Sequence, residues 1–312
     1  MSQELKLSFE YDSQENCYIA AIGQIYRVRA ESDDLPDSPR EWCNVATMVC
    51  HHRDYILGDE GGESDAIDAI RASRDYRDKW EESDSYEFTF KGETRDCFDF
   101  GNPSDVWQAI QLCSDIISQP LYLYDHSGIS ISTSSFSCPW DSGQVGFAFV
   151  TYAKIREEQS CKIVTAKGRN WAAQRIDSET RVYGQYLTGQ VFGFIVQVAT
   201  EWESESYCHA TGEREAIASE WEDLDSCWGY YGNFDESGLA SEALSAIVHD
   251  MRNRPQELQD KRESTLTDMQ ELIASRAQVT GQAREAIQGR IAALAADRRG
   301  ANRQSRLIAG VV

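Results

Sequence analysis

Apolar and polar residues alternate with a period of two in Leu5-Lys6-Leu7-Ser8-Phe9-Glu10-Tyr11 and again in Tyr86-Glu87-Phe88-Thr89-Phe90. Alternation sends successive side chains to opposite faces, so both segments read as half-buried strands. Tyr18 to Val28, interrupted at Gly23, is a further strand candidate. Leu121 to Tyr124, Val145 to Val150 and Val191 to Ala199 are β-branched or aromatic runs of strand length. Helical spacing takes over after Pro103, where Val106, Ile110, Cys113 and Ile117 share a face and Pro120 is the expected stop. Ala166 to Tyr183 and Glu213 to Trp221 read as two more helices. The mixture predicts an α+β fold: a mainly antiparallel sheet, flanking helices and a C-terminal helical arm from Leu239 onward.

Within the arm, Arg254-Pro255 reads as a junction between two helices. Leu266, Ile273, Thr280, Ile287 and Leu294 recur every seven residues. Such a seam predicts either oligomerisation through Leu266, Ile273, Ile287 and Leu294 or docking on the chain's own body. Gly281 and Gly289 each cost about 1 kcal/mol of helix propensity, and Phe234 is the last aromatic residue, so the arm needs a partner surface. Charge changes at nearly the same place. Residues 251–312 carry 11 Lys+Arg against 7 Asp+Glu, a net of +4, whereas the whole 312-residue chain has a net of −22, which leaves −26 on residues 1–250. Two parts are therefore expected: an acidic α+β domain over 1–235 and a net basic helical arm over 236–312.

With 41% hydrophobic and 11% aromatic residues, the chain is too apolar for global disorder. No window of eighteen apolar residues and no basic-then-apolar start occurs, so neither a membrane span nor a secretory leader is expected and the compartment reads as cytoplasmic. Nine cysteines without a repeating pattern are expected as free thiols. A body this acidic repels phosphates and disfavours direct nucleic-acid binding. Phosphate-loop, dinucleotide and nucleophile-elbow motifs are absent, and no cofactor is expected.

Candidate chemistry concentrates in Tyr124-Asp125-His126-Ser127-Gly128 and Phe136-Ser137-Cys138-Pro139-Trp140-Asp141-Ser142-Gly143. A thiol, an imidazole and a carboxylate can form a nucleophile, its base and an orienting group, which makes Cys138, His126, Asp141 and Asp125 the catalytic candidates. Ser127-Gly128 and Ser142-Gly143 are ordinary turn dipeptides. His52, Asp59 and His126 are metal-ligand types without metal-ligand spacing. Adjacent His51 and His52 would face opposite ways on a strand. Residues 31–39 and 58–65 read as solvated acidic loops. Cys208-His209 reads as an incidental loop pair. Trp42, Trp140 and Trp228 are expected as buried anchors of turn-rich segments, with Trp228 in a tight aromatic turn, Cys227-Trp228-Gly229-Tyr230-Tyr231-Gly232.

Several of these segments occur together and in order: Pro39-Arg40-Glu41-Trp42, Thr47-Met48-Val49-Cys50 with His52, Leu57-Gly58-Asp59, Tyr124 to Gly128, Cys138 to Gly146, Gln185 to Gly189 and Asp225 to Gly229. Over roughly residues 39–232 the chain resembles a widespread family of uncharacterised phage and mobile-element proteins. It departs from that pattern at Cys43, Gly184 and Gln190, where the family has acidic residues or close substitutes. The resemblance implies a phage context without implying a reaction. The expected function is a phage accessory protein that binds a host protein, such as a nucleic-acid-binding defence enzyme, through its acidic surface. A Cys/His- or metal-dependent hydrolase and a virion or assembly component are the alternatives.

Overall fold

The computed structural model describes residues 6–22, 25–76, 88–90, 93–95, 98–207, 214–276 and 282–311. It contains both helices and antiparallel sheets, as an α+β fold requires. The chain divides into two compact units, one formed by residues 1–34 with 191–312 and the other by residues 35–190. The compositional boundary at 235/236 separates neither unit, because the basic helices belong with the N-terminal strands.

The first unit is a five-stranded antiparallel sheet in the order β1-β2-β3-β10-β11. Its strands are β1 (Glu10–Asp12), β2 (Cys17–Ile22), β3 (Tyr26–Ser32), β10 (Val191–Tyr207) and β11 (Arg214–Tyr231). Leu7 and Phe9 of the first alternating segment reach the core without joining a strand, and residues 1–5 lie outside the described residues. One sheet face, carrying Tyr26, Val28, Phe194, Val196 and Val198, is covered by α5 (Leu239–Arg276) and α6 (Gln282–Val311). Leu239, Ala243, Ile247, Met251 and Leu258 supply the buried stripe of α5, at spacings of four and then seven residues that line one helix face. α5 runs through Pro255 without a break, held by Met251 and Leu258 on either side of it. α6 packs against α5 and returns to the sheet, where Ala301 is buried and the Gln304 side chain donates to Ala199 O at 2.7 Å.

The seven-residue seam is therefore split between two helices of one hairpin. Ile287 and Leu294 are half-buried on α6, while the side chains of Leu266 and Ile273 on α5, and Thr280 altogether, lie outside the described residues. Arg254 pairs with Asp250 one turn earlier on α5 at 2.6 Å and approaches Glu222 of β11 at 4.0 Å. Burial and Asp250, which accepts the Tyr26 hydroxyl at 2.7 Å, push that phenol up.

Of the Glu213–Trp221 segment, Arg214 to Trp221 folds as strand, although its residue types favour helix, and Glu213 lies outside the described residues. Pairing of β11 with β10, from Tyr207↔Arg214 to Val191↔Tyr231, outweighs that propensity. The aromatic segment at 227–232 is likewise strand up to Tyr231, with an extra residue on β11 opposite Phe192–Phe194 where Gly229 adopts φ +84°. Trp228 lies across Gly193 of β10, where an added Cβ would fall 2.1 Å from the indole. Gly193→Ala is expected to cost about 1–3 kcal/mol by overpacking, and that cost should vanish in a Trp228→Ala background, as a double-mutant cycle by denaturant unfolding will show.

The second unit is a three-layer sandwich. Its central antiparallel sheet has the order β4-β9-β7-β8, from β4 (Thr47–Cys50), β7 (Ile116–Asp125), β8 (Ile129–Ser132) and β9 (Ser142–Thr151). α3 (Tyr152–Glu158) and α4 (Ala166–Leu187) cover one face. α1 (Gly62–Ala72) and α2 (Pro103–Leu112) cover the other. Being covered on both faces explains the unbroken apolar run of β9 at Val145 to Val150. The small hairpin of β5 (Phe88–Phe90) and β6 (Glu93–Arg95) stands apart from this sheet, and the rest of the segment from Tyr86 lies outside the described residues.

α2 ends at Leu112 rather than at Pro120, which sits inside β7. Proline is tolerated there because at Pro120 the strand pairs with β9 alone, and β8 joins only from Tyr122 onward. Gly146 permits the close approach of β9 to β4, since a Cβ would lie 1.9 Å from Val49 O. Ser142-Gly143 begins β9 rather than forming a turn, whereas Ser127 (φ 59°) and Gly128 (φ 145°) make the β7–β8 turn.

Candidate functional site

Antiparallel pairing within the second unit carries the end of β7, the turn into β8, the start of β9 and the loop after β4 to one end of the sheet. Most of the chemistry-bearing segments meet there. Asp125 N–H donates to Asp141 O at 2.8 Å, and the Ser142 hydroxyl donates to Cys138 O, so the Cys138–Asp141 turn is tied to both strands. The Cys138 thiol donates to Asp141 Oδ2 at 3.4 Å, and His126 Nδ1 lies 3.6 Å from the same oxygen. Tyr55 Oη reaches the Asp125 carboxylate at 3.3 Å, and Asp125 pushes that phenol up. His52 stacks on Tyr55 at 4.8 Å while its Nδ1 accepts Asp54 N–H at 3.2 Å.

The side chains of Cys138 and His126 thus meet at the Asp141 carboxylate, while Asp125 joins them through its backbone and turns its carboxylate to Tyr55. The arrangement differs from a nucleophile–base pair, because the thiol's hydrogen-bond partner is a carboxylate. Thiolates are favoured by cations, imidazolium or helix N-termini instead.

The metal candidates do not converge. Asp59 is half-buried away from both histidines' contacts, held bidentately by Arg40 at 2.6 and 2.8 Å, and it also accepts Met48 N–H at 2.9 Å. Arg40 further donates to Ala46 O at 2.7 Å and lies 3.6 Å from Glu179, which accepts Val45 N–H and Ala46 N–H. The start of the 58–65 segment is consequently a fixed turn rather than a solvated loop. Among the described residues no group of three or more His, Cys, Asp or Glu side chains is placed to hold a metal ion. Sequence reading singled out Asp59 for its residue type, yet its partner is a cation nineteen positions earlier.

No family model, curated protein or solved structure matches this chain.

The structure exposes apolar surface where buried anchors were expected. Trp140 is 93% exposed, Trp42 48% and Trp228 46%. Trp140 stands on the Cys138–Asp141 turn, which is tied to β7 and β9. Trp228 packs against Gly193. Ile56, next to Tyr55, is fully exposed. Hydrophobicity by itself did not reveal these positions, since the same residue types fill the core.

The seven described cysteines are free, and Cys208-His209 lies outside the described residues. Burial, followed by Asp59, pushes the Cys50 thiol up to about 12. Burial likewise raises Cys113 to about 11. Both stay protonated far above neutral pH, and only thiolates alkylate readily. Iodoacetamide at pH 8 is therefore expected to modify exposed Cys43 and Cys227 while sparing Cys17, Cys50 and Cys113 until the protein is unfolded, as peptide mass spectrometry will resolve. No described helix is long and apolar enough to cross a membrane.

Proposed function

We propose that this chain acts by binding another protein, through the end of the second unit where Tyr55, Ile56 and Trp140 are presented among Asp54, Asp125 and Asp141. The exposure of Trp140 on a turn tied by hydrogen bonds at both ends carries the reading. An exposed indole on a fixed turn loses little entropy when a partner pocket covers it, and tryptophan dominates interface energetics for that reason. Carboxylates around an apolar centre match a partner with a basic rim. Both units are acidic: residues 35–190 hold 15 Lys+Arg against 25 Asp+Glu, a net of −10, which leaves −12 on the rest. A nucleic-acid-processing host protein presents such a basic surface, and a phage accessory inhibitor of a defence enzyme is the biological role this reading favours.

Trp140→Ala is expected to leave the melting temperature unchanged and to weaken partner binding about thirtyfold or more, the loss of a hot-spot side chain. Capture from host lysate with wild type and variant, at low and high salt, tests it. Equal, salt-indifferent recovery by both removes the proposal.

One observation favours a second reading as a thiol hydrolase: Asp141 touches both Cys138 and His126. Under that reading p-nitrophenyl acetate acylates Cys138 faster than exposed Cys43. Acylation no faster at Cys138 discards it.

A further inference from the structure

Residues 152–175, which form α3, the start of α4 and the turn between them, hold six Lys+Arg against two Asp+Glu, a net of +4 inside a unit whose net charge is −10. Both carboxylates are taken by one cation, since Lys154 Nζ lies 3.5 Å from Glu157 and 2.9 Å from Glu158. Arg156, Lys162, Lys167, Arg169 and Arg175 are exposed, and among the described residues none of them forms an ion pair. Lys167, Trp171 and Arg175 follow one another at four-residue spacing on α4 and so share a stripe about 12 Å long. The Arg175 guanidinium lies over the Trp171 ring at 5.6 Å, which holds it in place.

Arg175 also lines a cleft of about 430 Å³ between α4 and the 39–45 segment, a volume within the range of small-molecule sites. Trp42, Val45 and Val182 give it an aromatic and apolar wall, and exposed Cys43 borders it. Two carboxylates line it as well, and both are engaged: Glu158 by Lys154, and Glu179 by Val45 N–H, Ala46 N–H and, at 3.6 Å, Arg40. Among its described lining residues Arg175 is therefore the one uncompensated charge. The wall that carries Trp42 is pre-formed, because the Asn44 side chain donates to Pro39 O at 2.8 Å and to Trp42 O at 3.1 Å.

We infer that this cleft binds a nucleotide, with the base against Trp42 and the phosphates on Arg175 and the neighbouring cations of α3 and α4. A planar base uses the aromatic wall and phosphates use the guanidinium, whereas an inorganic anion uses only the second and an uncharged ring only the first. Size separates a nucleotide from a polymer. A long polyanion, nucleic acid or acidic protein alike, runs past the patch onto surface of net negative charge and is repelled there. A single nucleotide ends within the patch. The inference is independent of the protein-binding reading, since none of Tyr55, Ile56 and Trp140 lines this cleft.

Cys43 reports on occupancy of the cleft. The full chain is alkylated with iodoacetamide in EDTA, in the presence of each of the four ribonucleoside triphosphates, of the matching nucleoside or of inorganic triphosphate. Peptide mass spectrometry follows Cys43, with exposed Cys227 of the first unit as internal reference. At least one nucleotide is expected to protect Cys43 at a concentration at least tenfold below that needed with its nucleoside or with triphosphate, while Cys227 reacts as before. Arg175→Glu alters an exposed side chain and should raise the required concentration at least tenfold; Arg175→Gln replaces it should the melting temperature fall. Trp42→Ala should bring nucleotide and triphosphate to the same level, Trp42→Phe should keep them apart, and Trp140→Ala should leave protection unchanged. No protection by any of the four at millimolar concentration, protection by triphosphate or nucleoside alone at the nucleotide's concentration, protection undiminished in both Arg175 variants, or equal slowing at Cys227 would each overturn the inference. Each of those results leaves the protein-binding reading, tested by Trp140→Ala in lysate capture, as it stands.

Discussion

Asp59→Ala is expected to destabilise the second unit by about 3–5 kcal/mol, the cost of leaving one partner of a buried ion pair uncompensated. The Arg40 side chain is 5% exposed and directs two of its nitrogens at Asp59. Removing the carboxylate also orphans Met48 N–H at the edge of β4. Glu179, 3.6 Å from Arg40, is engaged by two backbone amides and cannot swing over to replace Asp59. For a unit of this size the loss lowers the melting transition by on the order of 10 °C. Replacing both charges, Arg40→Met with Asp59→Leu, should recover most of it, because the desolvation cost disappears along with the attraction. Calorimetry of the two single variants and the double variant measures this. A loss below about 1 kcal/mol for Asp59→Ala would show that water reaches the guanidinium.

Truncation after residue 235 is expected to abolish the first unit while the second keeps its own transition. The deleted helices bury Leu239, Ile247, Met251 and Leu258 against Tyr26, Val28, Phe194 and Val196. At about 1.5–3 kcal/mol for each large apolar side chain, the four contribute about 6–12 kcal/mol, as much as the whole stability of a typical domain. Ile247→Asp puts an unpaired charge at the centre of the same contact and should have a comparable effect. Limited proteolysis of either variant should leave a resistant fragment close to residues 35–190. Survival of residues 1–34 and 191–235 alongside it would show that the sheet stands without its helices.

Local pattern determined much of this protein. β-Branched and aromatic runs became β7, β9 and β10, and the helical spacing after Pro103 and Ala166 became α2 and α4. Each signal is carried by neighbours in sequence, through side-chain periodicity and the fixed φ of proline. The closeness of Asp125, His126, Cys138 and Asp141 in sequence was visible as well, and the pairing of β9 with β7 brings the two segments to one end of the sheet.

Tertiary structure decided what depends on distant partners. Arg214 to Trp221 has helix-forming residues but gained more by pairing with β10. Pro120 and Pro255 stayed inside elements, one because its strand has a free side there, the other because Met251 and Leu258 hold the helix down. Leu266, Ile273, Ile287 and Leu294 read as one continuous seam, yet the first two lie on α5 and the last two on α6, and these helices pack against each other. Tryptophan 140 and aspartate 59 show the same limit at single residues. An indole is equally suited to a core or to an interface, and a carboxylate equally suited to a metal or to an arginine. Which one it meets is set by chain segments far away in sequence, and composition and spacing hold no record of them.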